Sequence, residues 1–314
     1  MRSLAFRRSA ATTRARVLAA ALAALALVIG QPGLSRASAP NPDDIDVFAL
    51  SSDGTYMAEW NHVTNQWIDL GGPEATDLVT GDAGVFDYNG NTGDIYEYDG
   101  TPGKWSAIGG PGNQFVEGGY HLYGTAPSGD YTAEWNGPGK GWTEIAGPTG
   151  EIWAGKAGLV RVNPTSNYAY LYDGTPGQWT YIGIGYAQFA VTDNAIYRLG
   201  ADDGTPTVEQ WIGPGDNWER IGGPCDEIYG GGAGLFCMAE NPTDNVVADN
   251  ILEYNGTPNS WTQIGGPGAL FAVSGSYLYG LGPLPSKSYV AIWNGQPGDW
   301  SVIGGPARYL YAGD

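Results

Sequence analysis

The stretch Tyr98–Pro111, YDGTPGKWSAIGGP, decides how this chain is read. An aromatic, a Gly/Pro turn, a tryptophan and an apolar segment closing on Gly-Gly-Pro follow one another, and the succession keeps returning. Aligned on the tryptophan it reads WIDLGGP from Trp67, WSAIGGP from Trp105, WTEIAGP from Trp142 and WTYIGIG from Trp179. It continues as WERIGGP from Trp218, WTQIGGP from Trp261 and WSVIGGP from Trp300, at spacings of 38, 37, 37, 39, 43 and 39 residues. An aromatic precedes each tryptophan by seven positions: Trp60, Tyr98, Trp135, Tyr172, Trp211, Tyr254 and Trp293. Between the two lies DGTPGK, NGPGKG, DGTPGQ or NGTPNS. In such turns Gly supplies positive φ and Pro fixes its own, so each copy is a strand, a hairpin turn and a strand.

Two more short strands fit between one tryptophan and the next. One is typified by QFVEG, EIWAG or EIYGG, the other by HLYGTA, LVRVN or LFCMA. Four strands in roughly 39 residues is the length of a propeller blade. The ends sharpen this. The repeat region opens with the second strand of a unit (DVFAL), then the third (TYMAEW) and fourth (QWIDLGG), while the missing first strand, RYLYAGD, is Arg308–Asp314. The expected fold is therefore all-β: a seven-bladed β-propeller of four-stranded antiparallel blades, closed by the C-terminal strand joining the N-terminal blade. A ring leaves no long exposed sheet edge, whereas an open stack leaves two. Because Trp105 and Ile108 point to opposite faces of one strand, both faces must be packed.

Ahead of the repeats, Arg2, Arg7, Arg8, Arg14 and Arg16 precede the apolar run Val17–Gly30. Fourteen residues fall short of the roughly 20 needed to span a bilayer but suit an export signal. Small residues at Ser35 and Ala37 mark a cleavage site. The reading is a signal peptide over 1–37, cut near Ala37, then one secreted domain over 38–314. Arg7-Arg8 leaves the Sec and Tat routes both open. Removing 1–37 takes six arginines and no acid, leaving eight Lys/Arg against 33 Asp/Glu. Such a field repels nucleic acid and anionic membrane surfaces. No second apolar run of spanning length follows, and the expected state is a monomer.

The recurring W-x-x-[IL]-x-G unit, with its apolar strand and Gly-rich hairpin, resembles the tectonin/tachylectin type of propeller. That resemblance implies non-enzymatic, multivalent recognition of carbohydrate or glycoconjugate. Kelch propellers share the aromatic-to-tryptophan spacing and come second. An extracellular protein-interaction or structural propeller is the alternative class, and an enzyme acting at the channel mouth, such as a glycoside hydrolase or lyase, the third.

No catalytic residue and no cofactor is expected. His62 and His121 lie in different units without metal-ligand spacing. Three positional series carry polar chemistry. The hairpin aromatics (Trp60, Tyr98, Trp135, Tyr172, Trp211, Tyr254, Trp293) are either blade packing or rim platforms for sugar rings. The residues before them, Glu59, Glu97, Glu134, Gln210 and Glu253, are expected opposite Ser106, Thr143, Glu219 and Thr262 in their units. A carboxylate beside a hydroxyl and an aromatic wall is what sugar hydroxyls need, so these form the candidate rim groove. The third series, Asp77, Gln114, Glu151, Gln188 and Glu227, opens the innermost strands, where it either holds a cation or caps backbone groups. Cys225 and Cys237 are expected as a cross-strand disulfide of the fifth unit, favoured in an exported chain. The insertion Ala239–Asn250 is a candidate binding loop.

Overall fold

The computed structural model describes residues 45–72, 77–186, 188–202, 205–239, 250–283 and 287–313. The expected signal peptide with its cleavage near Ala37, and positions 240–249 of the insertion, lie outside them. Seven four-stranded antiparallel sheets form the fold, and no helix occurs among the described residues.

Each sheet is one blade. The third runs from the innermost strand Gln114–Gly118 through His121–Thr125 and Thr132–Trp135 to the outer strand Trp142–Ala146. The innermost strand of each blade neighbours that of the next, and Ala307–Ala312 meets both Leu270–Val273 and Asp77–Gly81 to close the ring. That last strand pairs antiparallel with Ile45–Ser51, Phe48 opposite Tyr311 and Leu50 opposite Tyr309, so the first blade is completed from the C-terminus.

Alternation explains the packing. Trp105 packs with Leu50, Met57 and Tyr98 against the first blade, while Ile108 packs with Phe86, Phe115 and Trp142 against the third. Every seam between blades is an apolar layer fed from both sheets. Burial of a large apolar side chain contributes about 1.5–3 kcal/mol, so the seams are the main source of stability. Strand direction alternates within a blade. The hairpin between the first and second strands and the hairpin before each tryptophan therefore share one end of the ring. The links between blades share the other.

Candidate binding grooves between blades

The seven tryptophans act as bolts. Each indole Nε1–H donates to a backbone carbonyl of the preceding blade: Trp142 to Ile108 (2.8 Å), Trp179 to Ile145 (2.9 Å), Trp218 to Ile182 (2.6 Å), Trp261 to Ile221 (2.9 Å) and Trp300 to Ile264 (2.8 Å). Trp67 donates to Ile303 across the ring closure, and Trp105 to Gly71. A Cβ at Gly109, Gly183, Gly222, Gly265 or Gly304 would run into the same indole, so the glycine after Ile makes room for the next blade's tryptophan. The repeated W-x-x-I-G is thus an assembly device.

The aromatic seven positions upstream sits directly opposite its tryptophan in all seven blades. Trp60, Tyr98, Trp135 and Tyr172 are at most 9 % exposed. Four members of the series meet the second strand of the preceding blade edge-on: Trp135 on Phe86, Tyr172 on Tyr123, Tyr254 on Tyr197 and Trp293 on Phe236. The rim-platform reading does not hold for the four buried members, because the neighbouring blade covers their rings. Trp211, Tyr254 and Trp293 remain partly exposed.

The polar series faces the same seams. Its expected partners are in place: Glu97 opposite Ser106, Glu134 opposite Thr143, Gln210 opposite Glu219 and Glu253 opposite Thr262. Glu97, Glu134, Gln210 and Glu253 remain partly exposed in their seams. Glu59 is buried opposite Phe48, and burial pushes its carboxyl up to about 7. Burial also raises Glu97 and Glu253. Burial and the charge of Glu59 push the Tyr98 hydroxyl of the next blade up to about 12, and Glu134 raises Tyr172 in the same way. Glu134 meets the imidazole of His121 at the surface, Oε1 to Nδ1 at 2.6 Å. These residues meet across seams because alternation turns them toward the next blade, not outward.

Two members of the innermost-strand series, Gln114 and Gln188, cap backbone groups of the next blade. Gln114 donates from Nε2 to the Ile152 carbonyl (2.7 Å) and accepts from the Ile152 amide (3.0 Å). Gln188 does the same to Ile228. Asp77 lies against Tyr311, and Tyr229 donates to Glu227. Among the described residues no three His, Cys, Asp or Glu converge as metal ligands. In the first seam, Asp87 is fully buried with neither carboxyl oxygen hydrogen-bonded, and burial, with the charge of Asp77, pushes it up to about 7.

The seams differ where their hairpins meet. Between the seventh and first blades, His62 stacks on Tyr277 (5.4 Å between centroids) and reaches the Tyr279 hydroxyl (3.2 Å). Between the fifth and sixth, Gly232 presents no side chain, and a groove of about 220 Å³ opens. Its walls are Tyr197 and Tyr254. Asp193 and Asn194 stand at its edge, and Gly231, Gly232 and Gly234 form the far lip. Asp193 Oδ2 pairs with Lys156 at 3.3 Å, leaving Oδ1 without a hydrogen bond. The Cys225–Cys237 disulfide stiffens the same seam. Cys225 lies two residues ahead of the strand Glu227–Gly231, not on it, so the bond ties an interblade link to the second strand. Of the groove residues the sequence reading had singled out only Tyr254. The signal for the rest was the GGGAG hairpin at Gly230–Gly234, which breaks the pattern of side-chain-bearing turns.

No family model matches this chain, and no curated protein sequence does. Solved structures do match. The CRINKLY WD40 ectodomain of the Arabidopsis thaliana receptor kinase ACR4 aligns at TM-score 0.53 and 14 % identity, over 84 % of this chain and 95 % of that one. The dihydro-heme d1 dehydrogenase NirN aligns at 0.52 and 12 %, over 86 % and 66 %. A Bacteroides fragilis protein described as a 6-phosphogluconolactonase aligns at 0.50 and 12 %, over 85 % and 96 %. At such identity the likeness establishes the fold: the chain is a seven-bladed β-propeller.

Proposed function

We propose that this propeller is an exported, monomeric, non-enzymatic carbohydrate-binding protein whose principal site is the groove between the fifth and sixth blades. The observation that carries this reading is the meeting of Tyr254 and Tyr197 with Asp193 and Asn194 in one small concavity. An aromatic face receives the C–H face of a sugar ring, while a carboxylate and an amide take its hydroxyls. The resemblance of the repeat to tectonin-type units supports the same ligand class. Unlike a ring of equivalent rim sites, this arrangement concentrates recognition at one seam.

The test is a glycan array probed with the mature protein and with Tyr254→Ala. Binding to a defined glycan class that Tyr254→Ala abolishes supports the reading. No binding at high protein loading removes it. One observation favours a protein-interaction propeller as second reading: Tyr168, Tyr181 and Ile184 are exposed together on the fourth blade, Tyr168 and Tyr181 in edge contact at 5.4 Å. A blank array would move attention there.

A further inference from the structure

Three of the described cations, Arg198, Lys156 and Arg161, are taken up by the fold. Arg198 pairs with Glu209 (2.6 Å) and Asp216 (3.3 Å), and Lys156 with Asp193. Arg161 lies between Tyr170 and Trp179 and donates to the Pro148 carbonyl. Lys287 and Arg308 differ from Arg198 and Lys156 in having no carboxylate partner among the described residues. They stand side by side where the seventh blade meets the closing strand. In a chain with 33 acids and 14 basic residues, carboxylates to neutralise them were plentiful.

The pair is held in place. Lys287 Nζ donates to the Arg308 carbonyl at 2.9 Å, and the Lys287 carbonyl accepts from the Ala307 amide at 3.4 Å. Both cations lie 5.3 Å from the centroid of the Tyr309 ring. The Lys287 backbone has φ +42°, an arrangement a lysine does not adopt for its own sake. Burial and the charge of Arg308 hold the Lys287 ammonium below its usual range. Two like charges are thus kept together against their mutual repulsion.

A cavity adjoins them. The Arg308 guanidinium reaches over Gly54, where a Cβ would stand 3.3 Å from Nη1. Gly54 lies in the loop between Ser51 and Tyr56, and those two residues line a groove of about 150 Å³ with Trp67, Val290, Pro306 and Ala307. The guanidinium thus lies over the loop whose two ends, Ser51 and Tyr56, line this small, partly aromatic concavity.

We propose that Lys287 and Arg308 form an oxyanion subsite at the seam between the seventh and first blades, taking the carboxylate or sulfate of an acidic saccharide whose ring enters the adjoining groove. The saccharide half rests on the function proposed above; the anion half does not. The guanidinium fork matches a carboxylate or sulfate bidentately, and Lys287, with one N–H given to the Arg308 carbonyl, keeps two for the ligand. The excess negative charge of the rest of the chain works against polyanions, so the subsite suits a single charged group.

Calorimetric titration of the mature protein at low salt with sodium glucuronate, sodium sulfate and glucose tests this. Glucuronate is expected to bind more tightly than sulfate, with glucose silent at this seam and added sodium chloride weakening both anions. Arg308→Gln and Lys287→Gln are each expected to weaken glucuronate at least roughly tenfold, with Arg308→Lys retaining part of the affinity. Unchanged melting temperature confirms that the exposed Arg308 variant folds. Equal binding of sulfate and glucuronate, both lost in the variants, keeps the anion subsite and removes the saccharide half. Failure of glucuronate and sulfate to bind, or binding indifferent to both substitutions, overturns the proposal. Glucuronate binding lost only in Tyr254→Ala also overturns it, by assigning the ligand to the other groove.

Discussion

Gly222→Ala is the sharpest probe of how the ring is held. Gly222 does not need a left-handed backbone, so the substitution adds volume and nothing else. The new Cβ would overlap Trp261 Nε1 and lie 2.9 Å from its Cε2, well inside normal carbon contact. The indole must retreat, and its 2.9 Å hydrogen bond to the Ile221 carbonyl breaks with it. Overpacking of this kind costs about 1–3 kcal/mol, and orphaning a buried carbonyl adds about 1 kcal/mol, so the expected loss is about 2–4 kcal/mol. The third blade accommodates a Cβ at the matching place, Ala146, with Trp179 still bonded to Ile145 at 2.9 Å, so the cost at Gly222 comes from the close approach of its own indole and not from the repeat position as such. Ala146→Gly should therefore change stability by no more than about 1 kcal/mol. Urea unfolding followed by circular dichroism measures both. A Gly222→Ala protein within about 0.5 kcal/mol of the parent would refute the bolt.

Three further outcomes follow from the seams. Reducing the Cys225–Cys237 disulfide, or replacing both cysteines by serine, should cost about 3 kcal/mol and lower the urea midpoint. Gln188→Ala removes both bonds to Ile228 from the inner ring, and thermal unfolding should show about 2–4 kcal/mol lost, against little change for the exposed Glu151→Ala. Asp87 tests the pH dependence. Its folded carboxyl is raised from 3.8 to about 7, so the folded state holds a proton the unfolded chain has released, and stability falls as pH rises between those values. Asp87→Asn should thus gain on the parent from pH 4 to pH 8; a constant difference across that range would contradict the assignment.

The sequence carried the ring almost whole, because its signals are local or strictly periodic. Asp-Gly-Thr-Pro-Gly can only be a turn, and a missing first strand at one end with a spare at the other allows one closure. The site was less legible for a physical reason. Alternation decides whether Glu59 or Glu97 looks outward or into the next blade, and strand pairing alone does not reveal what the next blade puts there. The groove at Gly232 depends on a side chain that is not present. The Lys287–Arg308 pair joins residues 21 apart that meet only because the last strand returns to the first blade. Tyr98 illustrates the division: its pairing with Trp105 and its packing against a neighbouring blade were readable, while the particular residues it meets there, Leu50 and Met57, were not.

The measurement that bears most directly on the whole account is the stoichiometry of binding for the best neutral saccharide from the array, determined by calorimetry. One molecule per chain, lost in Tyr254→Ala and unaffected by Arg308→Gln, is the predicted result. Several equivalent molecules per chain, insensitive to Tyr254, would show that the repeated units bind as well as build.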